Sequence, residues 1–372
     1  MADLRTKLQP ATYNQLPAAH NPQLSTRNSG TCSWRRHELK IDIFNHVLPK
    51  KYFDRLNQVA SNLGDLDRRM KSIPILVDME ARVRMMEEIG DYAQVICLAA
   101  PPIEALASPD ASPDLARIAN DSMAEIVAQY PKLFPAFIAS LPLNNPAAAS
   151  DEIDRSIRDL GARGVQFFSN VKGKALDQPE FRPLFEKMAS YDLPILLHPA
   201  RNSSFSDYKT EDKSRYEIWW CIGWPYETSA AMIRIVFAGY FDRWPDLKII
   251  THHLGAMIPY NEGRLGPGYD VLGARSPGEN YGELLKKLKK RPLDYFRMFY
   301  GDTAIFGALP AMKCGVEFFG PGNVLFGTDC PFSPDKGAGN VRDTVRAIDA
   351  LPIGEEERRM IYEGNAKKLM KI

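Results

Sequence analysis

No two cysteines in this sequence form a C-x-x-C pair; the five present (Cys32, Cys97, Cys221, Cys314 and Cys330) are scattered and odd in number. That pattern excludes a disulfide framework and reads as reduced thiols in a cytoplasmic protein. Long hydrophobic runs are missing too. No stretch approaches the roughly 18 apolar residues of a membrane span, and the first thirty or so residues lack the apolar core of a secretory signal. An excess of one charge is absent as well: 47 basic residues stand against 46 acidic, for a net charge of +1. Electrostatic attraction to nucleic acid or to a membrane surface is therefore not expected. Nor does a G-x-G-x-x-G follow the first apolar run, which weakens a dinucleotide-binding reading.

What is present has two parts. Residues 1–37 are polar, rich in Pro, Asn and Gln, and carry no periodicity, as expected of an extended arm or tail. From Leu39 to the end, short apolar runs alternate with longer amphipathic ones. Strands are expected over 39–44, 93–99, 134–140, 164–168, 194–198, 247–252, 297–302 and 323–329. Helices are expected over 79–89, 113–130, 149–160, 179–190, 227–240, 305–315 and 338–350. Eight strands separated by helices indicate a parallel sheet covered on both faces. The count suits a closed (β/α)8 TIM-type barrel over 38–372, with 200–226 and 263–292 as long connections at its mouth.

Histidine is scarce, six in all, and its placement is informative. His20 and His37 fall in or near the arm. The other four fall at expected C-terminal ends of strands: His46 after the first, His198 on the fifth, His252 and His253 on the sixth. Asp329 ends the eighth. Strand ends of such a barrel converge on one face, where active sites form. A single histidine at a strand end is usually a hydrogen-bonded structural residue. Several imidazoles and a carboxylate on one rim suit a divalent ion with open positions for water or substrate, zinc first and iron or manganese as alternatives.

The segments "KIDIFNHVLP", "LPILLHPA", "LKIITHHLGAMIPY" and "VLFGTDCPF", in that order, resemble the amidohydrolase superfamily. Within it they are similar to the branch of aminocarboxymuconate-semialdehyde decarboxylase. The resemblance covers residues 38–372 and implies a (β/α)8 barrel, a divalent metal and, for most relatives, release of CO₂. By position it implies that His46, His198 and Asp329 are metal ligands. It also implies that His253, at or beside the coordination shell, acts as acid–base. His252 is an additional neighbour; alternation along a strand turns it from His253 and into the wall. The departure is Phe44, where the branch carries His or Glu. Phenylalanine cannot ligate, so the expected site is one ligand short. Water or substrate, Asn45 or Asp302, or a rearranged dinuclear cluster would have to make up the difference.

Around this centre, Arg201 and Arg264 are candidates to pair with a substrate carboxylate, and Asp302 to ligate or to cap the next helix. Trp224, with Tyr216, Trp219, Trp220 and Tyr226, would wall an apolar pocket or pack at an oligomer interface. The reading is a cytoplasmic metal-dependent enzyme acting on a small carboxylate, as a decarboxylase. A dinuclear iron or manganese oxygenase and a non-catalytic supporting subunit are the rivals. The partners expected are the substrate and further copies of this chain or of a paralogue.

Overall fold

Strands covered on both faces must be apolar throughout, and each of the eight apolar runs contains a strand in the structure. The structure, a computed structural model, describes residues 39–60, 63, 72–276 and 279–372. The arm expected over 1–37 lies outside the described residues. The strands are β1 (Lys40–Asp42), β2 (His46–Val47), β3 (Tyr92–Leu98), β4 (Ala136–Phe137), β5 (Ala139–Ser140) and β6 (Val165–Phe168). A short antiparallel pair follows, β7 (Asn170–Val171) and β8 (Lys174–Ala175). Then come β9 (Ile195–His198), β10 (Ile249–Thr251), β11 (Tyr300–Asp302) and β12 (Val324–Leu325).

Apart from the β7–β8 pair, every strand pairing is parallel. β3 lies between the β1–β2 run and β4, while β5, β6, β9, β10, β11 and β12 follow one another in spatial order. One residue, Ile138, separates β4 from β5. Its N–H donates to Ile96 O on one side (2.9 Å), and the next N–H, of Ala139, donates to Gly164 O on the other (3.0 Å). The last strand also meets the first. Ile43 N–H donates to Phe326 O at 2.9 Å, Asp329 N–H to Phe44 O at 2.8 Å, and His46 N–H to Cys330 O at 2.8 Å.

Side chains alternate across these strands. Val95 and Cys97 of β3 join Ile41, Ile43, Phe44, Ile138, Leu196, Ile250 and Leu325 in an inner apolar cluster. Ile96 and Leu98 instead face the helices. The inner cluster is closed from below by the last helix, Asn365–Met370, through Ala366, Leu369 and Met370. Its top layer is Phe44, whose ring packs against those of His46, His198 and His252. Helix Met79–Ile89 starts with an Asp78 cap accepting from Ala81 N–H at 3.0 Å, and it carries Arg82, which is wholly buried.

Candidate metal centre

The chain turns sharply where the strands end, and those turns aim the polar side chains. β10 stops at Thr251, and His253 adopts φ +58°; Asp329 adopts φ +59° after β12. Left-handed backbone is costly for such residues and concentrates at functional sites. It also ends the alternation on which the wall position of His252 was expected. His252 is fully buried, yet its ring faces the same centre as His253, with ring centroids 3.7 Å apart.

His46 Nε2 stands 3.0 Å from Asp329 Oδ1, and His252 Nε2 stands 3.9 Å from the same oxygen. The ring of His198 lies 5.4 Å from that of His46 and 5.3 Å from that of His252, centroid to centroid. One donor atom each from His252, His253 and Asp329 falls within 4.8 Å of the others. Among the described residues, His252 Nε2 and His253 Nδ1 are buried without a hydrogen-bond partner, and His46 Nε2 faces only the Asp329 carboxylate. Stranding such nitrogens together is unfavourable unless something binds them. This donor set fits a divalent cation, and imidazole with carboxylate suits zinc, iron or manganese.

The surroundings fix which nitrogen faces the centre. His198 Nδ1 lies 2.7 Å from Pro199 O, which holds a proton there and turns Nε2 inward. His252 Nδ1 lies 2.8 Å from Asp302 Oδ2. Burial, and then the neighbouring imidazoles of His253, His198 and His46, hold the His252 pKa well below its ordinary value. A neutral ring results, and where Nδ1 donates to Asp302 the lone pair falls on Nε2. Burial also lowers His253, to about 4. Burial opposes a proton on His46, but Cys97 and Asp329 beside it prevail and raise it to about 10. Proton and metal ion thus compete for its Nε2.

Two residues considered as replacements for the missing ligand are otherwise engaged. Asn45 turns into the wall: its amide donates to Asp42 O (2.9 Å) and Val95 O (3.1 Å), and its oxygen accepts from Arg82 (3.0 Å). Asp302 sits behind the histidines and accepts from His253 N–H (3.1 Å) and Ala304 N–H (2.9 Å) as well as from His252. Burial drives its pKa well above the usual carboxylate range. The space is tight here. A Cβ on Gly327 would lie 3.0 Å from the Cβ atoms of both Asp302 and Phe44.

Above the centre opens a cavity of about 750 Å³, a size suited to a small aromatic ligand with solvent. His46, His198, His253 and Asp329 line its floor, and Trp224, Phe306, Phe332 and Ile305 its walls. Trp224 presents an edge to His198 at 5.6 Å and donates its indole N–H to Arg201 O at 2.9 Å. Arg201 itself pairs with Glu227 at 3.2 Å and is absent from the lining. Arg264 is exposed on helix Glu262–Asp270 and likewise does not line the cavity. Arg201 pairs with Glu227 through one guanidinium nitrogen, and the helix turns Arg264 to solvent.

Sequence reasoning passed over Arg82 and Asn340. Arg82 donates to His46 O (2.6 Å), Ile75 O (3.2 Å), Asn45 and Gln94, and so anchors the turn that carries His46. The only signal was its place one helical turn before the buried Met86. Asn340 lines the cavity, is buried, and has no partner for its amide nitrogen among the described residues.

Parallel strands with imidazole and carboxylate side chains gathered at their carboxyl ends are the arrangement of barrel-type metalloenzymes. The sequence profile described as Amidohydrolase matches residues 72–372, and the chain belongs to that family. It is 31% identical over 314 residues to gamma-resorcylate decarboxylase of Polaromonas sp. strain JS666, covering 80% of this chain and 89% of that one. It is 29% identical over 314 residues to 2-amino-3-carboxymuconate-6-semialdehyde decarboxylase of Dictyostelium discoideum, covering 79% and 82%. A dihydroxybenzoic acid decarboxylase from Polaromonas sp. JS666, solved with manganese and the inhibitor 2-nitroresorcinol, is similar with a TM-score of 0.71 at 25% identity. That match covers 90% of this chain and 97% of the other. The chain is an enzyme of this superfamily and groups with its metal-dependent decarboxylases.

Proposed function

We propose that this protein decarboxylates a small aromatic carboxylate on a divalent ion held by His46, His198 and Asp329, with His253 moving the proton. The observation that carries the reading is the set of buried imidazoles gathered around Asp329, two of them with a nitrogen unpartnered among the described residues, at the floor of a cavity walled by aromatic side chains. The strand hydrogen bonds from Ile43 to Phe326 and from His46 to Cys330 support a closed (β/α)8 barrel as the scaffold. Manganese in a solved relative moves that metal ahead of the zinc expected from the donor types alone.

When bound, the ion would hold and polarise substrate oxygens as a Lewis acid. The protein's own residues do the rest. Trp224 and Phe332 stack against an aromatic ring and keep water from its faces. His253 lines the cavity, and an anionic substrate beside it would raise its pKa and draw a proton onto it. The proton passes from His253 to the ring carbon that bears the carboxylate. The bond between that carbon and the carboxylate then breaks, its electron pair returns to the ring, and CO₂ leaves. His253 ends neutral, as burial favours.

Incubation of the chelator-stripped protein with hydroxybenzoates and other aromatic carboxylates, with Mn(II), Zn(II) or Fe(II), tests this by CO₂ release. Metal-dependent release is expected; oxygen consumption with hydroxylated product and no CO₂ would overturn it. Assembly into oligomers is a proposal of the same kind, supported by the exposed Tyr216, Ile222 and Tyr226. Sedimentation of the whole chain and of one lacking residues 1–37 tests that part, and its cytoplasmic placement is tested by fractionation.

A further inference from the structure

We propose that His252 is itself a metal ligand and stands in for the one that Phe44 cannot provide. The inference rests on the reading above only in requiring a divalent ion between His46 and Asp329. Phe44 lies where the resemblance calls for a ligating side chain, and its ring is stacked on His252 at 3.6 Å and 11° from parallel. A ligand is lost at one position, and an additional imidazole rests directly on that position. The two facts belong to one rearrangement.

Four features of His252 are those of a ligand rather than a wall residue. It is wholly buried, so no solvent satisfies its Nε2, and that atom has no partner among the described residues. Its Nε2 is 3.9 Å from Asp329 Oδ1, a separation that two ligands of one ion can adopt. Its donor atom lies within 4.8 Å of those of His253 and Asp329. Its other nitrogen is 2.8 Å from Asp302, the carboxylate–imidazole arrangement that orients metal-bound histidines and raises their basicity. A histidine kept only for packing would gain nothing from placing a lone pair in this centre, and leaving it unmet is unfavourable. The ligand set becomes His46, His198, His252 and Asp329. His253, the neighbour that lines the cavity, is left for proton transfer.

The test uses the full chain, stripped with chelator and titrated with Mn(II), with free Mn(II) followed by its EPR signal. Directly bound imidazole nitrogens are counted from their hyperfine couplings. Removing a partner one layer out typically weakens metal binding about 10–100-fold, so His252→Ala should weaken it by roughly 100-fold or more. One imidazole nitrogen should vanish from the couplings. His252→Gln, which keeps the volume, is measured beside it to separate lost ligation from lost packing and should lose the same nitrogen. Adding Phe44→His to His252→Ala should recover binding and return one nitrogen. Unchanged nitrogen count in both single variants, or Mn(II) binding within threefold of the parent, overturns the proposal. These readouts do not depend on turnover. Absence of CO₂ release with ligation behaving as described would remove the decarboxylase reading alone, whereas CO₂ release with unaltered ligation would remove this one alone.

Discussion

The phenyl ring of Phe44 and the imidazole of His252 lie face to face, 3.6 Å between centroids. Phe44 also meets His46 edge-on at 5.3 Å and lies nearly parallel to His198 at 5.7 Å, so one apolar ring touches three of the imidazoles. Position 44 thus acts on the centre through shape. Its removal should leave a void beneath all three rings. Phe44→Ala is expected to destabilise the metal-free protein by about 3–5 kcal/mol, the usual range for a buried phenylalanine, measured by urea unfolding.

Asp302 carries a second expectation. Its carboxylate is fully buried and holds His252 Nδ1 and two backbone N–H groups. Asp302→Asn keeps the size but gives a weaker acceptor. Metal affinity should fall by about 10–100-fold, as for other partners of ligating histidines, by Mn(II) titration. Unaltered affinity would show that the contact with His252 serves packing only.

His253 should separate chemistry from binding. It reaches the cavity, and its Nδ1 is free of partners among the described residues. His253→Gln is expected to lower the rate of CO₂ release by about 10²–10⁴-fold, the range of general acid–base catalysis. Bound Mn(II) should remain near one ion per chain. Parallel loss of metal and rate would make His253 a ligand.

The strands were legible because covered parallel strands are written as apolar runs bounded by turns, and periodicity survives whatever packs around it. The placement of His46, His198 and Asp329 at strand ends was legible for the same reason: they punctuate the ends of those runs. The facing of His252 was not. Alternation assigns it to the wall only if the strand continues through it, and β10 stops one residue earlier. A positive φ at His253 leaves no mark in the sequence unless glycine occupies it. Arg82 was hidden because its helix, "MEARVRMMEEI", reads as a charged surface face. Its acceptors come from Asn45, His46, Ile75 and Gln94, which only the fold brings together. Arg264 failed oppositely, since its place after the sixth strand was right and its direction was set by the helix.

Glu104 offers a test of stability away from the centre. It is wholly buried, its two carboxylate oxygens meet no side-chain donor among the described residues, and burial raises its pKa from 4.5 to about 8. A carboxyl raised on folding binds its proton more tightly in the native state. Native stability is therefore unaffected below pH 4.5, falls as pH rises toward 8, and is level above it. Each pKa unit is worth about 1.4 kcal/mol, so the full penalty is on the order of 5 kcal/mol. Glu104→Gln should remove most of that loss: urea midpoints of parent and variant should converge near pH 5 and diverge by pH 9. Equal pH dependence in the two proteins would show that Glu104 is not the titrating group.

Asn340 is expected to recognise the substrate. It lies at the start of helix Gly339–Asp349, lines the cavity opened over the histidines, and has no acceptor for its amide nitrogen among the described residues. Burial of an unmet donor is unfavourable in the free protein, and a hydroxyl or carboxylate oxygen on a bound ring would relieve it. Neither Arg201 nor Arg264 lines the cavity, whereas Asn340 is a polar side chain of its wall outside the proposed metal centre. Asn340→Ala should raise KM for a hydroxylated aromatic acid by about tenfold, the worth of one hydrogen bond of roughly 1–1.5 kcal/mol, with kcat little altered. Asn340→Asp keeps the shape and replaces the donor with a negative charge, so it should weaken binding of an anionic ring further than alanine does. If both variants keep the parent KM across a series of substrates differing in hydroxyl position, Asn340 does not read the substrate, and the unmet amide must be satisfied by solvent inside the cavity.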